Sequence, residues 1–527
     1  MRNSILLCIA VILTSCDFMD RQPMDFVAPE QYYRTGEQME AALNGVYSTL
    51  AEGALYGNNM LGRMGLSADI GYESYSPDEG MVGYYQVYAT DVKVANYWKE
   101  LYEGIGRANR LLENISRPQM DEKRRNEIKG EALFLRAYFY FMLTVRFGDV
   151  PLVLNVPESG YLADVQVPQT PSREVYRKII EDMEEASGLV KDATEVTGGG
   201  RVTKSAVWGI LARVCLNMAG YPLYEPGMYA KAKVYASKVM DLDFHSLNPS
   251  YSEVFVNMIQ DRYDIKESIF EVEFYGNNVG TYSATAGMVG RNNGIGFSNT
   301  AIDTIGISIG TIRATPYFIQ LFGEGDLRRD WTISPYTYDS TTGAKVQQPT
   351  NYWIRYSGKF RREYELTMEK SALYTPANFP ILRYSDVLLM YAEGVAADPD
   401  NSDAAELSKA YECLNMVRRR GYGKDTGKQD SSVDIAEDGK TVLLEVIKDE
   451  RARELGHELL RKDDVVRWGE FESRMKYIAA SVPGAYVSSY YVAARTAYNS
   501  ASSRDVLWPI PSYELGINRK LVQNVGW

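Results

Sequence analysis

The sequence predicts a mainly α-helical protein whose helices are interrupted by a loop-rich insertion and a few short strands. Three observations predict this class. Apolar residues cover most of the circumference of a helix in segment 129–154, which indicates a helix buried inside a domain. Amphipathic segments recur on both sides of it, at 37–245 and 383–475. Gly, Asn, Ser and Thr dominate residues 276–311, which is typical of loops.

The buried helix has clear limits in the sequence. Arg136 and Arg146 interrupt its apolar surface, and a membrane span needs about 20 apolar residues, so a transmembrane helix is not predicted. Gly148 supplies a stop, and Pro151 cannot continue a helix. The apolar run at 150–154 then reads as extended chain.

Composition excludes several functional classes. The net charge of −12 argues against non-specific nucleic-acid binding, which needs clustered Lys and Arg. The two histidines, His245 and His457, leave little material for a histidine metal site or a Ser-His-Asp triad. No phosphate-binding loop, nucleophile elbow or dinucleotide fingerprint occurs, so no cofactor and no metal is predicted.

The N-terminal sequence predicts an export signal. Residues 1–15 combine a basic start with a short apolar run, as secretory signals do. The sequence LTSC at 13–16 resembles a bacterial lipobox, which implies cleavage before Cys16 and lipidation of its sulfur; the alternative is an ordinary signal peptide. Residues 16–36 then form a lipidated tether. Cys215 and Cys413 remain, and we expect buried thiols, with their pairing left open.

Helices follow in order along the mature chain. Helix pairs about 35 residues apart are similar to tetratricopeptide units, which predicts a tetratricopeptide-like superhelix. Alternation and apolar content predict strands at 268–274, 352–356 and 379–382. The predicted helices begin near residues 37, 97, 129, 172, 203, 229 and 383.

Charged residues at helical spacing lie near the C-terminus. We interpret them as alternating-sign pairs that lock neighbouring helices. His457-Glu458 lacks the second histidine of a zinc helix, because Arg461 occupies that position. The charged set comprises Glu450, Arg451, Glu454, Arg461, Asp464 and Arg467.

Six motifs along the chain resemble those of the SusD/RagB family of nutrient-binding outer-membrane lipoproteins, and they occur in the same order as in that family. The most extended match is the buried helix with the Phe-Gly-x-Val-Pro-Leu that follows it. The matching residues are Glu131, Ala132, Phe134, Leu135, Arg136, Ala137, Tyr138, Phe147, Gly148, Val150, Pro151 and Leu152. The other motifs lie at 44–47, 98–109, 383–393, 450–468 and 508–524.

The resemblance implies a domain plan and a function. The plan is an N-terminal helical region at 37–245, a loop-rich ligand-side region at 246–382 and a C-terminal family region at 383–527. The implied function is a non-catalytic lipoprotein of the outer membrane, facing the cell exterior. It would bind an oligosaccharide or polysaccharide and deliver it to a SusC-like TonB-dependent transporter. A peptide ligand is the neighbouring alternative, and a glycoside hydrolase using an Asp/Glu pair is the alternative enzyme class.

A cluster of tyrosines predicts where the ligand binds. Segment 72–102 holds seven tyrosines, well above the chain average of 40 in 527. Aromatic rings stack on sugar C–H faces, and nearby polar groups bind hydroxyls. Tyr97, Trp98 and Tyr102 belong to a predicted helix and are assigned to the core. For the loop tyrosines, loop packing is the alternative. The predicted contacts are Asp69, Tyr72, Tyr75, Tyr84, Tyr85 and Tyr88, with Arg291, Asn292, Asn293 and Phe297 as the opposite wall.

Overall fold

Helices form most of the protein in the computed structural model. It describes residues 32–74, 82–156, 166–279, 286–348, 351–366, 369–401, 403–484 and 489–527, apart from the side chain of Tyr490. The helices before residue 260 are α1 (Gly36–Tyr47), α2 (Val92–Asn114), α3 (Glu122–Phe147), α4 (Ser172–Ser187), α5 (Lys204–Ala219), α6 (Met228–Met240) and α7 (Tyr251–Ile259).

The second half continues with short helices and then longer ones. The short helices are α8 (Val289–Asn292), α9 (Pro316–Gln320) and α10 (Arg328–Thr332). The rest are α11 (Tyr384–Ala397), α12 (Ala404–Gly421), α13 (Gly439–Leu455), α14 (Arg461–Arg467), α15 (Phe471–Ser481), α16 (Ser489–Ser500) and α17 (Ser512–Ile517).

The described strands pair into four small antiparallel sheets of two strands each. Each two-stranded sheet links two separate segments of the chain, and these sheets do not form a β-sheet layer of the fold. The pairs are β1 (Gly71–Glu73) with β5 (Ile312–Ala314), β2 (Val150–Pro151) with β3 (Gln169–Thr170), β4 (Ser268–Val272) with β8 (Phe379–Arg383), and β6 (Tyr336–Tyr338) with β7 (Lys345–Gln347).

Helix α3 is the buried helix that the sequence predicts. The Asp121 side chain caps its N-terminus by accepting from the backbone N–H of Arg124 at 2.8 Å. All residues from 130 to 144 are buried, and Phe139 is fully enclosed. Gly148 follows at a φ of +70°, where glycine is favoured. Helices α1, α2 and α4 pack against α3, so the prediction of a central helix is confirmed.

The helices associate as successive pairs. Helix α3 packs on α4, α5 on α6, and α11 on α12, while α11 also packs on α6. The last contact joins the N-terminal helices to the C-terminal ones. The predicted mainly α, tetratricopeptide-like fold is confirmed.

Buried charges link these helices, as predicted, although their partners lie mostly outside the motif. The Glu454 carboxylate accepts from Arg383 at 2.9 Å and from Arg328 at 3.2 Å, and it also pairs with Arg420. Arg451 binds Asp386 at 2.7 Å, which ties α13 to α11. These long-range pairs lock separate elements together.

The expected pairing inside the motif is only partly observed. Among its six residues, all of them described, ion pairs join Asp464 to Arg451 and Arg467 and no others. The motif residues face different neighbours because α13 and α14 are separate helices, with His457 and Leu459 at positive φ between them.

The loop-rich region has more structure than its composition suggests. It contains α7 to α10, which were not predicted. The predicted strand at 352–356 is wrong for its first part, because Tyr352–Ile354 forms a 3₁₀ turn capped by the Asn351 side chain. Strand β4 is buried on both faces, so its alternating sequence does not reflect one solvent face. Cys215 and Cys413 are free buried thiols, as predicted.

Candidate functional site

The predicted loop tyrosines are packed inside the protein. Tyr72, Tyr84 and Tyr85 expose only 3–4% of their surface. The Tyr85 hydroxyl donates to the carbonyl of Gly65 at 2.7 Å, and the Tyr72 hydroxyl donates to the carbonyl of Trp353. The expected exposed aromatic wall is therefore corrected for these three residues to loop packing.

Asp69 is not an open acceptor. It is buried in the 3₁₀ turn of residues 68–70, just before β1, and its two carboxylate oxygens accept from Arg461 at 2.7 and 2.8 Å. Arg474 donates to the same carboxylate at 3.1 Å. Asp69 therefore anchors α14 and α15, which corrects its predicted role as an accessible sugar acceptor.

The predicted opposite wall is also mostly internal. The Asn292 amide donates to the side chain of Asn58 at 2.8 Å, and the Asn293 amide donates to the carbonyl of His457 at 3.0 Å. Both asparagines and Phe297 are buried, which corrects the expectation that they line a surface. Arg291 is half-buried and donates to the carbonyl of Ala372.

Of the predicted loop contacts in the described part of the chain, Tyr88 alone is well exposed, at 64%. Tyr75 and Cys16 lie outside the described residues. The helical aromatics assigned to the core, Tyr97 and Trp98, are buried against Phe147 and Trp508, and this assignment is confirmed.

Four other tyrosines lie at the surface beside β1, and we call them the tyrosine face. Tyr317 and Tyr352 pack at the edge of one apolar cluster centred on Phe318. Tyr317 and Tyr491 both border a second cluster, around Tyr72 and Tyr498. Tyr317 thus connects both clusters. The members of the tyrosine face are Tyr317, Tyr352, Tyr477 and Tyr491.

Tyr317 and Tyr477 form the open end of this face. Their rings meet edge to face, with centroids 6.0 Å apart, and Tyr477 is 63% exposed. They border a hollow of about 210 Å³ whose other lining residues include Ser473 and Arg474. The hollow combines aromatic surface with hydroxyl and guanidinium donors.

Local sequence explains why these two rings point outward. Thr315 caps α9 by accepting from the backbone N–H of Phe318, and Pro316 begins the helix. In α15 the residues Phe471, Met475 and Ile478 face inward at helical spacing. Tyr477 lies off that stripe, so the helix presents it to solvent.

A charged side chain binds the Tyr317 hydroxyl at the edge of the hollow. Arg474 donates to the Tyr317 hydroxyl at 2.8 Å while it pairs with Asp69. Burial and the negative charge of Asp69 raise the pKa of Tyr317, so its hydroxyl stays protonated at neutral pH. The Tyr317 hydroxyl is therefore bound to a partly buried ion pair.

The other end of the tyrosine face lies at the 3₁₀ turn of residues 352–354. Asn351 caps this turn and also donates from its amide to the Tyr491 hydroxyl. The guanidinium of Arg355 lies over the Tyr352 ring, 4.8 Å from its centroid. Sequence analysis missed this end because Tyr352 and Arg355 were read as part of a strand.

A metal site and a pair of carboxylates are the two arrangements relevant to catalysis. No group of three or more His, Cys, Asp or Glu side chains in the described ranges is placed to hold a metal ion. Asp261 and Glu271 lie close together, because the Asn378 amide donates to both, at 3.2 and 3.4 Å.

Glu271, one of these two carboxylates, is closed off from solvent. Burial, together with the nearby charge of Glu273, raises the pKa of Glu271 to about 8. The backbone N–H of Glu271 donates to the carbonyl of Gly199 at 3.0 Å, and Gly199 covers its side chain. Glu271 exposes only 4% of its surface, so a substrate does not reach it in this arrangement.

The described helices include none that is both long and apolar enough to traverse a lipid bilayer.

Comparison with known proteins identifies the family. Residues 266–527 match the family model described as the SusD family, and residues 17–216 match a model described as starch-binding and associating with the outer membrane. Together the two matches cover most of the chain. The chain belongs to the SusD/RagB family.

Relatives of this SusD/RagB chain extend over nearly its full length. SusD-like protein P2 of Formosa agariphila is 26% identical and covers 97% of this chain and 96% of its own. The starch-binding protein SusD of Bacteroides thetaiotaomicron is 24% identical over 76% of this chain and 72% of its own. A solved SusD homologue from Bacteroides thetaiotaomicron superposes with a TM-score of 0.86 at 27% identity, covering 95% of this chain and 98% of that one.

Proposed function

We propose that this protein is a non-catalytic, cell-surface lipoprotein that binds an oligosaccharide or polysaccharide. In this proposal the lipid on Cys16 anchors it to the outer membrane, and a SusC-like TonB-dependent transporter receives the glycan from it. Family membership and the starch-binding relative support carbohydrate as the ligand class. A peptide is the alternative ligand of the same fold.

The observation that carries the proposal is the tyrosine face. It replaces the buried loop tyrosines as the binding surface, with Tyr88 and Arg291 kept as outlying contacts. A sugar ring stacks its C–H face on an aromatic ring while its hydroxyls bind polar side chains. Tyr477 and Tyr317 supply the rings, and Ser473 and Arg474 supply the polar groups around the hollow.

Binding is tested by screening the purified protein on a glycan array and measuring each hit by calorimetry. Tyr477→Ala is expected to raise Kd at least about fivefold, or about 1 kcal/mol, because it removes the exposed ring. Tyr477→Phe keeps the ring and should bind nearly as well. Tyr513→Ala is the matched control, since Tyr513 is 71% exposed on α17 and belongs to neither cluster of the tyrosine face.

Two results would contradict the proposed site. One is an unchanged Kd for Tyr477→Ala and Tyr317→Ala with the fold intact. The other is an equal loss of affinity in Tyr513→Ala. If the protein binds peptides from a library and binds no glycan, the proposed site would stand, but its ligand would be a peptide.

Anchoring and catalysis have separate tests. Cys16→Ala should leave the protein in the aqueous phase of a detergent partition, and continued membrane association would contradict lipid anchoring. Incubation with the bound glycan should yield no cleavage. Reproducible cleavage that Glu271→Gln abolishes would favour the hydrolase alternative, since Glu271 is a carboxylate whose pKa is raised and which lies near a second carboxylate, Asp261.

A further inference from the structure

Arg355 lies beside Tyr352 of the tyrosine face, and its backbone is firmly held. Its N–H donates to the carbonyl of Tyr352 at 3.2 Å, which closes the 3₁₀ turn. Its carbonyl accepts from the N–H of Ala314 at 3.0 Å, which ties it to β5. The side chain is half-buried and lies over the Tyr352 ring. Its guanidinium is therefore held beside an aromatic surface.

The guanidinium of Arg355 has no acceptor among the residues that the structure describes. Its Nε is buried without a hydrogen bond, and no described carboxylate oxygen lies within 4.0 Å of its nitrogens. The nearby Arg329 differs, because it pairs with Asp330 at 2.8 Å. Arg474, at the other end of the face, is neutralised by Asp69 and Glu470.

An unpaired, partly desolvated cation is costly to keep. Burial lowers the pKa of Arg355, and the neighbouring Tyr352 and Asp330 do not fully offset it. Arginine nevertheless stays charged, because its ordinary pKa is above about 12. A ligand that brings a negative charge to this position would relieve that cost, and a neutral hydroxyl would do so less well.

The planar shape of the guanidinium further limits which anionic groups fit it. Its parallel N–H groups match the two oxygens of a carboxylate, or two oxygens of a sulfate ester, in a bidentate arrangement. The protein as a whole carries a net charge of −12, so it does not attract polyanions through bulk charge. An acidic ligand would therefore have to be selected by a cationic side chain at the binding site and not by the overall charge of the protein.

We infer that the glycan bound at the tyrosine face is acidic, with a uronate carboxylate or a sulfate ester seated on Arg355 and its sugar ring beside Tyr352. This inference rests on the proposed glycan-binding function and specifies its substrate class. The two sources of negative charge share the same chemistry at the guanidinium, and the choice of probe separates them.

The test uses calorimetry with the full mature chain against defined polysaccharides. Polygalacturonate and alginate carry carboxylates, chondroitin sulfate and carrageenan carry sulfates, and starch and laminarin are neutral. We expect binding to at least one acidic probe, with a Kd that rises at least about tenfold in Arg355→Gln. Arg355→Lys should recover only part of the affinity, because lysine keeps the positive charge but lacks the two parallel N–H groups of the guanidinium.

Matched variants separate this inference from the proposed function. Arg329→Gln removes a neighbouring arginine that is already paired, so it should change Kd less than about twofold. Circular dichroism and thermal melting establish that each variant is folded. Raising NaCl from about 50 to 300 mM should weaken acidic-probe binding to the wild type more than to Arg355→Gln.

Three outcomes would overturn the inference in distinct ways. If starch or laminarin binds, Tyr477→Ala weakens that binding, and Arg355→Gln does not change it, the inference fails and the proposed function stands. If an acidic probe binds equally well to wild type and Arg355→Gln, the assignment to Arg355 fails. If no glycan binds the wild type, the proposed function and the inference fail together.

Discussion

Glu271→Gln is expected to make the protein more stable at alkaline pH. Glu271 is a carboxylic acid buried in β4, where its carboxyl group accepts from the Ser268 hydroxyl at 2.9 Å. Asp261 and Glu273 lie nearby and add negative charge. Burial, the largest cause, raises the pKa of Glu271 from 4.5 to about 8. The folded protein therefore holds a proton that the unfolded chain releases.

The sign follows from proton linkage. Between the unfolded pKa of 4.5 and the folded pKa of about 8, the folded state binds more protons than the unfolded state. The free energy of unfolding must therefore fall as pH rises through this window. Outside the window, the contribution of Glu271 does not change with pH. One pKa unit corresponds to about 1.4 kcal/mol, so the loss between about pH 5.5 and 8 amounts to about 3 kcal/mol.

Glutamine removes this titration and keeps the shape of the side chain and one of its two acceptor oxygens. The difference in the free energy of unfolding between Glu271→Gln and wild type should therefore grow in favour of the variant by about 3 kcal/mol from pH 5.5 to 8. Glu472→Gln is the control, because Glu472 is a surface residue paired with the exposed Lys476.

The assay is urea unfolding followed by circular dichroism at both pH values. Stability curves of wild type and Glu271→Gln that stay parallel within about 0.5 kcal/mol would refute the argument, since no buried protonated acid would then exist. A difference that instead grows in favour of wild type from pH 5.5 to 8 would show that the carboxylate, not the acid, is the form that the fold stabilises.

Two further predictions test the buried charges and thiols. Glu454→Gln should lower the free energy of unfolding by about 3–5 kcal/mol in the same urea assay, because three buried arginines lose their common carboxylate, and a loss below about 1 kcal/mol would contradict that role. Cys215 and Cys413 should resist labelling by a thiol-specific disulfide reagent at pH 8 in the native protein and react in urea, since burial raises both pKa values to about 12; rapid native labelling would contradict this.

The helical part of the fold could be predicted because its signals are local. The apolar circumference of α3, the stop at Gly148 and the Thr203 cap of α5 each depend on residues within a few turns. The charged motif near 450–467 was also recognisable as structural. Its partners were not, because Arg328, Arg383 and Arg420 reach Glu454 from three different segments.

The position of the surface tyrosines could not be derived from their density. Tyrosine is both apolar and polar, so a cluster of tyrosines fits a buried loop as well as a binding surface. The Tyr85 hydroxyl is satisfied inside by Gly65, and the Tyr72 hydroxyl by Trp353, which is 281 residues away. Such a distant carbonyl partner leaves no trace in the local sequence.

A periodic helix, by contrast, does reveal which of its tyrosines are exposed. Phe471, Met475 and Ile478 define the inner stripe of α15, and Tyr477 lies outside it. Tyr491 and Tyr317 belong to helices too, and each borders the core without entering it. The informative question for such a chain is therefore whether a tyrosine departs from the apolar stripe of its own helix. By that criterion Tyr477 is a better candidate for ligand contact than Tyr72, Tyr84 and Tyr85, because their rings are buried and its ring is exposed.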